Sequence, residues 1–156
     1  MEDRMGLPLS DDLGFLLSRA SGQVVRATNA ALAQHGLRVR QYSVLALACE
    51  ATDGVTQRDL ATALALDPSQ VVLLVDELAA AGFVERQAPE VDRRTRLVVA
   101  TAEGHRVREA AGRDADAAVE IPLSLLGDAE RDRLRDMLTR IVSSYGVRGA
   151  APAADR

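Results

Sequence analysis

The stretch "LDPSQVVLLVDELAAAGFVERQAPEVDRRTR", residues 66–96, contains a helix together with the signals that begin and end it. Asp67 is a favourable N-cap, and Pro68 suits the first helical position because the N–H that proline lacks would have no partner there. Gln70 stands three residues after the cap, as in a capping box. Gly82 is the residue type on which helices commonly end, so the helix is predicted between Asp67 and Gly82.

The apolar residues of this helix lie on one face. Their spacing of i, i+3, i+4 and i+7 assigns to the buried stripe Val71, Leu74, Val75 and Leu78. At about 100° per residue, the outward face carries Ser69, Leu73, Asp76 and Ala80, with Gln70 and Val72 on its flanks. The first turn is therefore predicted to be polar and accessible.

A shorter helix precedes this one, and two strands follow it. Thr56 with Asp59 three residues later resembles a capping box and predicts a helix start. Two short helices in close succession, the second with an accessible first turn, form a helix-turn-helix pattern. "FVER" and "TRLVVA" predict two strands joined by the exposed loop "QAPEVDRR".

A long helix is predicted over residues 10–36. It opens with Ser10 and two acids that suit the positive end of a helix dipole, and it closes at Gly36. The next segment, "QYSVLALACEA", predicts a short second helix. Its cysteine, Cys49, is the only one in the chain, and in this apolar setting we expect a small core residue rather than a redox sensor.

Two further helices are predicted after the strands. Thr101 caps one that runs to Pro122, and the last covers about 128–145 before a frayed tail at 146–156. The apolar face of the last helix carries Leu134, Met137, Leu138, Ile141, Val142 and Tyr145. Because the first and last helices have little of the middle part to pack against, we expect a second copy of the chain to cover them. The alternative is that both pack on their own domain.

Composition limits the class of protein. The 156 residues predict one domain over 1–156, and the helices and strands predicted above make it mainly α with a small β-wing. The formal net charge of −4 argues mildly against nucleic acid unless one surface is locally basic. The N-terminus lacks the features of a secretory signal, and no apolar run approaches the length of a membrane span, so a cytoplasmic protein is expected.

No catalytic or metal-binding motif stands out. We find no nucleophile elbow, phosphate-binding glycine loop or zinc motif, so we expect neither an enzyme nor a cofactor. His35 and His105 are too few to define a metal site, and each stands beside a glycine, Gly36 and Gly104, that we expect in a turn.

The ordered set of elements resembles the MarR family of bacterial winged-helix transcription factors over nearly the whole chain. The resemblance rests on "QYSVLALAC", "GVTQRDLATALALDPSQVVLLVDELAAAGFVER" and "DRRTRLVVATAEG". Its most specific part is Asp92, Arg94 and Thr101, which match the family's wing pattern. Ala100 replaces a leucine of that pattern, a change that should leave strand packing intact.

The resemblance implies a homodimer. Dimerisation helices at about 10–36 and 102–145 would interlock, and a winged helix-turn-helix part at about 37–101 would read palindromic double-stranded DNA. Such proteins usually repress neighbouring genes until a small molecule or oxidation releases them. The small molecule is here expected to be phenolic or anionic aromatic.

The residues expected to contact DNA lie at the two helix starts and at the loop tip. Ser69 and Gln70 can hydrogen-bond base edges or phosphates, and glutamine suits adenine. Arg93 and Arg94 can enter a narrow minor groove, whereas Asp92 orients an arginine. The predicted DNA-binding set is Thr56, Gln57, Pro68, Ser69, Gln70, Val72, Leu73, Arg93 and Arg94.

Two positions depart from the family. Val72 and Leu73 stand where members often place a hydroxyl residue and a basic residue. Leu73 either contacts a thymine methyl or is a surface leucine without a role. We therefore expect modest, strongly salt-sensitive binding to DNA. The departure and the acidic net charge also leave open a degenerate winged-helix module that binds protein or a ligand but not DNA.

An effector site is implied where the winged part meets the dimerisation helices. Arg19, Arg26 and Tyr42 are the candidate residues for an anionic aromatic ligand. The other interpretation is that Tyr42 anchors the core and the two arginines are solvated.

Overall fold

The computed structural model describes residues 8–88 and 96–148, with the backbone alone for 144–148. By its internal contacts the chain divides into two compact units, Met1–Pro122 and Leu123–Arg156. The helices of the first unit are α1 Leu13–Leu32, α2 Val39–Glu50, α3 Gln57–Leu64, α4 Pro68–Ala80 and α5 Ala102–Glu120. Its strands are β1 Val55–Thr56, β2 Val84–Gln87 and β3 Leu97–Ala100. The second unit holds α6, Asp128–Arg148.

The strands form one antiparallel sheet in the order β1-β3-β2. In the hairpin, Val84 pairs with Ala100 and Gln87 pairs with Leu97, so the two predicted strands are confirmed. The third strand, β1, was not predicted, because its two residues, Val55 and Thr56, are too few to show an alternating pattern. The predicted fold class, mainly helical with a small β-wing, is confirmed.

The core of the first unit is built from leucine and valine side chains of nearly every element. The largest fully buried side chains are Leu32, Leu45, Leu60, Leu78, Val44, Val71, Val75 and Val98. Each such side chain stabilises the fold by about 1.5–3 kcal/mol relative to an exposed position. The three from α4 belong to its predicted stripe, and the fourth member of the stripe, Leu74, is half-buried against the same core.

The predicted helix starts at Thr56 and Thr101 are confirmed by cap hydrogen bonds. The Thr56 hydroxyl accepts from the backbone N–H of Asp59 at 3.1 Å, and the Thr101 hydroxyl accepts from that of Gly104 at 3.0 Å. The first helix differs slightly from its prediction. The first residue of the predicted helix, Ser10, lies in a preceding 3-10 turn, Leu9–Asp11, and α1 is capped by Asp12.

The first helix ends as its glycine predicts. After α1 the chain forms a 3-10 turn, Ala33–His35, and Gly36 then takes the left-handed conformation with φ of 69°. The C-terminal part of α1 is buried at Thr28 and Leu32, and the helix packs along α5. The first helix therefore does find a partner within its own unit, but only over part of its length.

Gly104 is not the turn residue that was expected. It lies in the first turn of α5 and is buried. A Cβ atom at this position would come within 2.0 Å of the Phe83 carbonyl oxygen. The role of this glycine is therefore to let α5 approach the backbone at the base of the hairpin. There the Thr101 N–H donates to the Phe83 oxygen at 3.0 Å, and the Thr101 hydroxyl donates to the Gly82 oxygen at 2.6 Å.

In the second unit, α6 is held at its start by local contacts. The Gly127 N–H donates to Glu130 Oε2 at 2.9 Å, and Arg131 donates to the carbonyl oxygens of Leu123 and Leu126. Its exposed apolar residues include Met137, Leu138, Ile141 and Val142. Among the described residues no helix is both long and apolar enough to cross a membrane.

Candidate DNA interface

The helix-turn-helix is formed by α3 and α4, which are separated by a short turn. Ala65 ends α3 in the left-handed conformation with φ of 50°, and the Leu66 N–H donates back to the Ala61 oxygen at 3.0 Å. Asp67 then begins α4 in extended conformation. The tight connection holds the two helices in contact and leaves the start of α4 at the surface.

One surface of α4 is accessible while the opposite side is anchored. Pro68, Ser69 and Gln70 are all exposed, and so are Val72 and Leu73. Leu73 is 63% exposed, which is unusual for a leucine on a helix whose other leucines pack inward. The structure therefore brings together the five residues that the sequence assigned to this helix for DNA contact.

The amide of Gln70 is oriented by the helix cap. Its Oε1 accepts from the Asp67 N–H at 3.3 Å, which confirms this half of the predicted capping box. The NH2 group is left to face outward as a donor. A bidentate pair with adenine needs the amide oxygen as well, so it would replace a long cap bond, whereas donation to a base or phosphate acceptor leaves the cap intact.

Thr56 and Gln57, at the start of α3, already have partners within the protein. The Thr56 hydroxyl donates to Asp59 Oδ2 at 2.7 Å, so its hydrogen is used in capping. Gln57 Oε1 accepts from Arg86 Nε at 3.1 Å. A phosphate contact from this helix start stays a prediction, and the donor most accessible for it is the Gln57 NH2 group.

Sequence reasoning missed Arg86. Its guanidinium, on β2, also donates to Asp76 Oδ1 at 2.6 Å, so the outward-facing acid of α4 carries a paired charge. The only signal available was that Arg86 follows buried Val84 at the alternating spacing of a strand. That spacing places Arg86 on the same face of the strand as Val84, but it cannot name partners 10 and 29 residues away.

The tip of the wing lies outside the described residues. Asp92, Arg93 and Arg94 fall between 88 and 96, so their predicted roles remain predictions. The structure does describe the strands that carry the loop, and Arg86 joins the first of them to α3 and α4. The loop therefore starts from a strand that is tied to both helices.

A groove runs beside the inner edge of α4. Its volume is about 700 Å³, and its walls come from α1, the start of α2 and α4. The lining residues are Val25, Asn29, Arg38, Val39, Arg40, Gln41, Leu74 and Glu77. Gln41 joins two walls, since its Nε2 donates to Glu77 Oε2 at 2.7 Å and its Oε1 accepts from the Arg38 N–H at 2.8 Å.

The three residues expected to bind an effector do not line this groove. Arg19 and Arg26 are exposed on α1. Tyr42 is half-buried against the core, and its hydroxyl lies 2.9 Å from where a Cβ of Gly112 would stand. The described structure thus does not gather the three at one cavity, and it shows two other arginines, Arg38 and Arg40, beside the groove.

The contacts and exposure of Cys49 and of the two histidines do not indicate a redox or metal site. Cys49 is half-buried against the core, and burial raises the pKa of its thiol, which the nearby Arg108 offsets only in part. His35 Nε2 lies 2.6 Å from Asp114 Oδ2, which ties the end of the first helical segment to α5. His105 is exposed. Over residues 8–88 and 96–148, no three acidic, histidine or cysteine side chains are grouped to hold a metal ion.

Comparison with known proteins agrees with this architecture. The family model described as "MarR family" matches residues 35–95. CouR from Rhodococcus jostii RHA1, solved bound to p-coumaroyl-CoA, is 49% identical over 88% of this chain and 96% of its own, with a TM-score of 0.80. A MarR-family regulator from Rhodococcus sp. RHA1 is 48% identical with the same coverage and a TM-score of 0.83.

A more distant relative was solved with DNA. The transcriptional repressor CouR bound to a 23-mer DNA duplex is 31% identical over 87% of this chain and 98% of its own, with a TM-score of 0.78. The comparison with curated proteins gives no match. The extent of these likenesses, together with the winged helix-turn-helix seen here, shows that the chain belongs to the MarR family of transcriptional regulators.

Proposed function

We propose that the protein is a homodimeric repressor that binds palindromic duplex DNA and is released by an anionic aromatic ligand. The observation that carries the proposal is the polar first turn of α4, which is exposed at Pro68, Ser69 and Gln70 while Val71 and Val75 are fully buried behind it. A helix held in this way can enter a major groove without disturbing its core. The relative solved with a 23-mer duplex supports the same use of the fold.

Each predicted contact has a distinct part in this proposal. Ser69 and Gln70 donate to base edges or phosphates, and Val72 and Leu73 offer apolar surface to thymine methyl groups. Gln57 donates to a phosphate near the start of α3, where the helix dipole favours negative charge. Arg93 and Arg94 of the wing enter the adjacent minor groove.

Dimerisation accounts for apolar surface that the single chain leaves exposed. On α1, Leu13 is 70% exposed, and Leu16 and Leu17 are also exposed. On α6, in the second unit, Ile141 and Val142 are exposed as well. Apolar rows of this size are rarely left in water, and a second copy of the same chain is the commonest way to cover them.

The DNA-binding part is tested by titrating the protein with duplex DNA from upstream of its own gene at several salt concentrations. The affinity of the parent should fall steeply with salt, because binding releases counterions from phosphates. Arg94→Ala should weaken binding. Arg113→Ala removes the same charge from α5, where Arg113 pairs with Glu109, and should leave binding near the parent value. No binding by the parent at any salt would favour the degenerate module instead.

The effector part rests on the groove beside α4. Arg38 and Arg40 place positive charge at a cavity large enough for a drug-sized ligand, and Val25, Val39 and Leu74 supply apolar surface. A relative at 49% identity was solved with p-coumaroyl-CoA, which combines an aromatic group with negatively charged phosphates. We infer that an aromatic acid or its CoA thioester is the class of effector. Arg19, Arg26 and Tyr42 remain predicted contacts.

A ligand in this groove would contact α4, the helix proposed to enter the major groove, because Leu74 and Glu77 belong to it. The test compares p-coumaroyl-CoA, p-coumarate and CoA in the DNA titration. The groove is supported as the effector site if the thioester releases the DNA and if this release is weakened in Arg40→Ala but not in Arg106→Ala on α5. If release by the thioester were weakened only in Tyr42→Ala or Arg19→Ala, the ligand would instead bind at the residues predicted from the sequence. Release by none of the three compounds would refute this class of effector.

A further inference from the structure

The Arg86 guanidinium joins three elements of the DNA-binding part. From β2 it donates through Nε to Gln57 at the first position of α3, at 3.1 Å, and through Nη2 to Asp76 in the middle of α4, at 2.6 Å. Its side chain is 31% exposed, against 54% for Asp76. One side chain thus ties the first wing strand to both helices of the helix-turn-helix.

The first consequence concerns the orientation of the Gln57 amide. A guanidinium has five N–H donors and no acceptor, so only the amide oxygen of Gln57 can face it. The NH2 group must then point away from Arg86. A phosphate oxygen is a pure acceptor, and the NH2 group at the start of α3 is a donor that suits it. Arg86 therefore sets which end of the amide is available to an outside partner.

The second consequence concerns the charge of Asp76. This residue lies on the outward side of α4, three positions after the exposed Leu73 and seven after the exposed Ser69. An unpaired carboxylate on that side would repel the phosphates of a duplex. The contact with Arg86 compensates its charge and holds the carboxylate toward the wing strand.

We propose that Arg86 is a positioning residue for DNA binding. It presents the NH2 group of Gln57 to a phosphate and neutralises the charge of Asp76 on the outward side of α4. The proposal rests on the DNA-binding function proposed above. Arg86 itself is assigned no contact with DNA.

The test separates the two ends of the Gln57 amide. Gln57→Glu keeps an oxygen toward Arg86 and loses the NH2 donor, whereas Gln57→Met has nearly the same length and loses both. We expect Gln57→Glu to melt at or above the parent temperature and yet bind duplex about tenfold more weakly, since a hydrogen bond to a phosphate is lost and a carboxylate takes the place of its donor. Gln57→Met should lose both melting temperature and affinity. Affinity equal to the parent in Gln57→Glu would overturn the proposal.

A double-mutant cycle tests the charge of Asp76. Arg86→Met should weaken DNA binding, Asp76→Asn should not, and the pair Arg86→Met with Asp76→Asn should recover part of the lost affinity. A residue with only a structural role would show no such recovery, because the double variant lacks the same three-way contact. Equal affinity in Arg86→Met and the parent, or no recovery in the pair, would refute the positioning role.

Failure of the proposed function is distinguishable from failure of this inference. If the parent binds no duplex at any salt, the DNA-binding function itself is wrong, and the positioning role falls with it. If the parent binds and the variants follow it without change, only the role of Arg86 is wrong. The melting temperatures report on the contacts of Arg86 in either case.

Discussion

Replacing Gly104 by alanine should destabilise the protein by an amount set by one close approach. The added Cβ would stand 2.0 Å from the Phe83 carbonyl oxygen and 2.9 Å from its carbon. A carbon normally comes no closer than about 3.3 Å to such an oxygen. The helix or the turn must therefore move by more than about 1 Å, and the Phe83 oxygen is also held by the Thr101 N–H at 3.0 Å.

The cost follows from these two effects. Overpacking in a tight site costs about 1–3 kcal/mol, and loss of the hydrogen bond from Thr101 adds about 0.5–1.5 kcal/mol. A total of roughly 1.5–4.5 kcal/mol lowers the melting temperature of a chain this long by about 3–18 °C. Thermal melts followed by circular dichroism measure the change directly.

Gly22→Ala is the matched control. Gly22 lies inside α1, and the nearest atom to its added Cβ is Arg26 Nη1 at 3.5 Å, an ordinary contact at the end of a flexible side chain. Here alanine should stabilise the protein by about 0.5–1 kcal/mol because it is the better helix former. If Gly104→Ala melts at or above the parent temperature, the close approach of α5 to Phe83 is not present in solution.

Three further predictions concern single side chains. Thr56→Ala should lower the free energy of unfolding by about 1 kcal/mol through loss of the α3 cap, whereas Thr56→Ser should keep it; urea titration measures both. Leu73→Arg should tighten DNA binding and steepen its salt dependence by about one counterion, and an unchanged slope would show that Leu73 faces away from the duplex. Cys49 should react with iodoacetamide more slowly than an exposed cysteine at neutral pH, because burial raises the pKa of its thiol. The reaction rate should keep rising with pH, and a fast reaction at pH 7 would contradict this.

Local signals in the sequence predicted most of the helix-turn-helix. The caps at Asp67 and Thr101 and the glycine at Gly82 depend only on neighbours within a few residues, and the structure confirms each of them. The buried stripe of α4 follows from helical period alone. Such features are predictable because the physics that decides them is contained in the segment itself.

Contacts between distant segments were not predictable in the same way. The pairing of Val55 with Val98 adds a strand of two residues, which is too short to be predicted from its own sequence. The bond from Arg86 to Gln57 spans 29 positions, and the need for glycine at 104 arises from the backbone at Phe83. In each case the packing of helices and strands determines which residue is the partner. Short-range sequence patterns carry no information about it.

The buried side of α4 also limits how an effector can act. Val71, Val75 and Leu78 are 0–1% exposed, so rotating α4 alone would return them partly to water. At about 1.5–3 kcal/mol each, this would cost much of the total stability of a domain, which is about 5–15 kcal/mol. A ligand typically couples to a second site by only about 1–3 kcal/mol. We therefore expect an effector in the groove to move the winged part as a rigid body relative to the second copy of the proposed dimer, with amide hydrogen exchange in α4 unchanged. Faster exchange at Val75 on ligand binding would refute rigid motion.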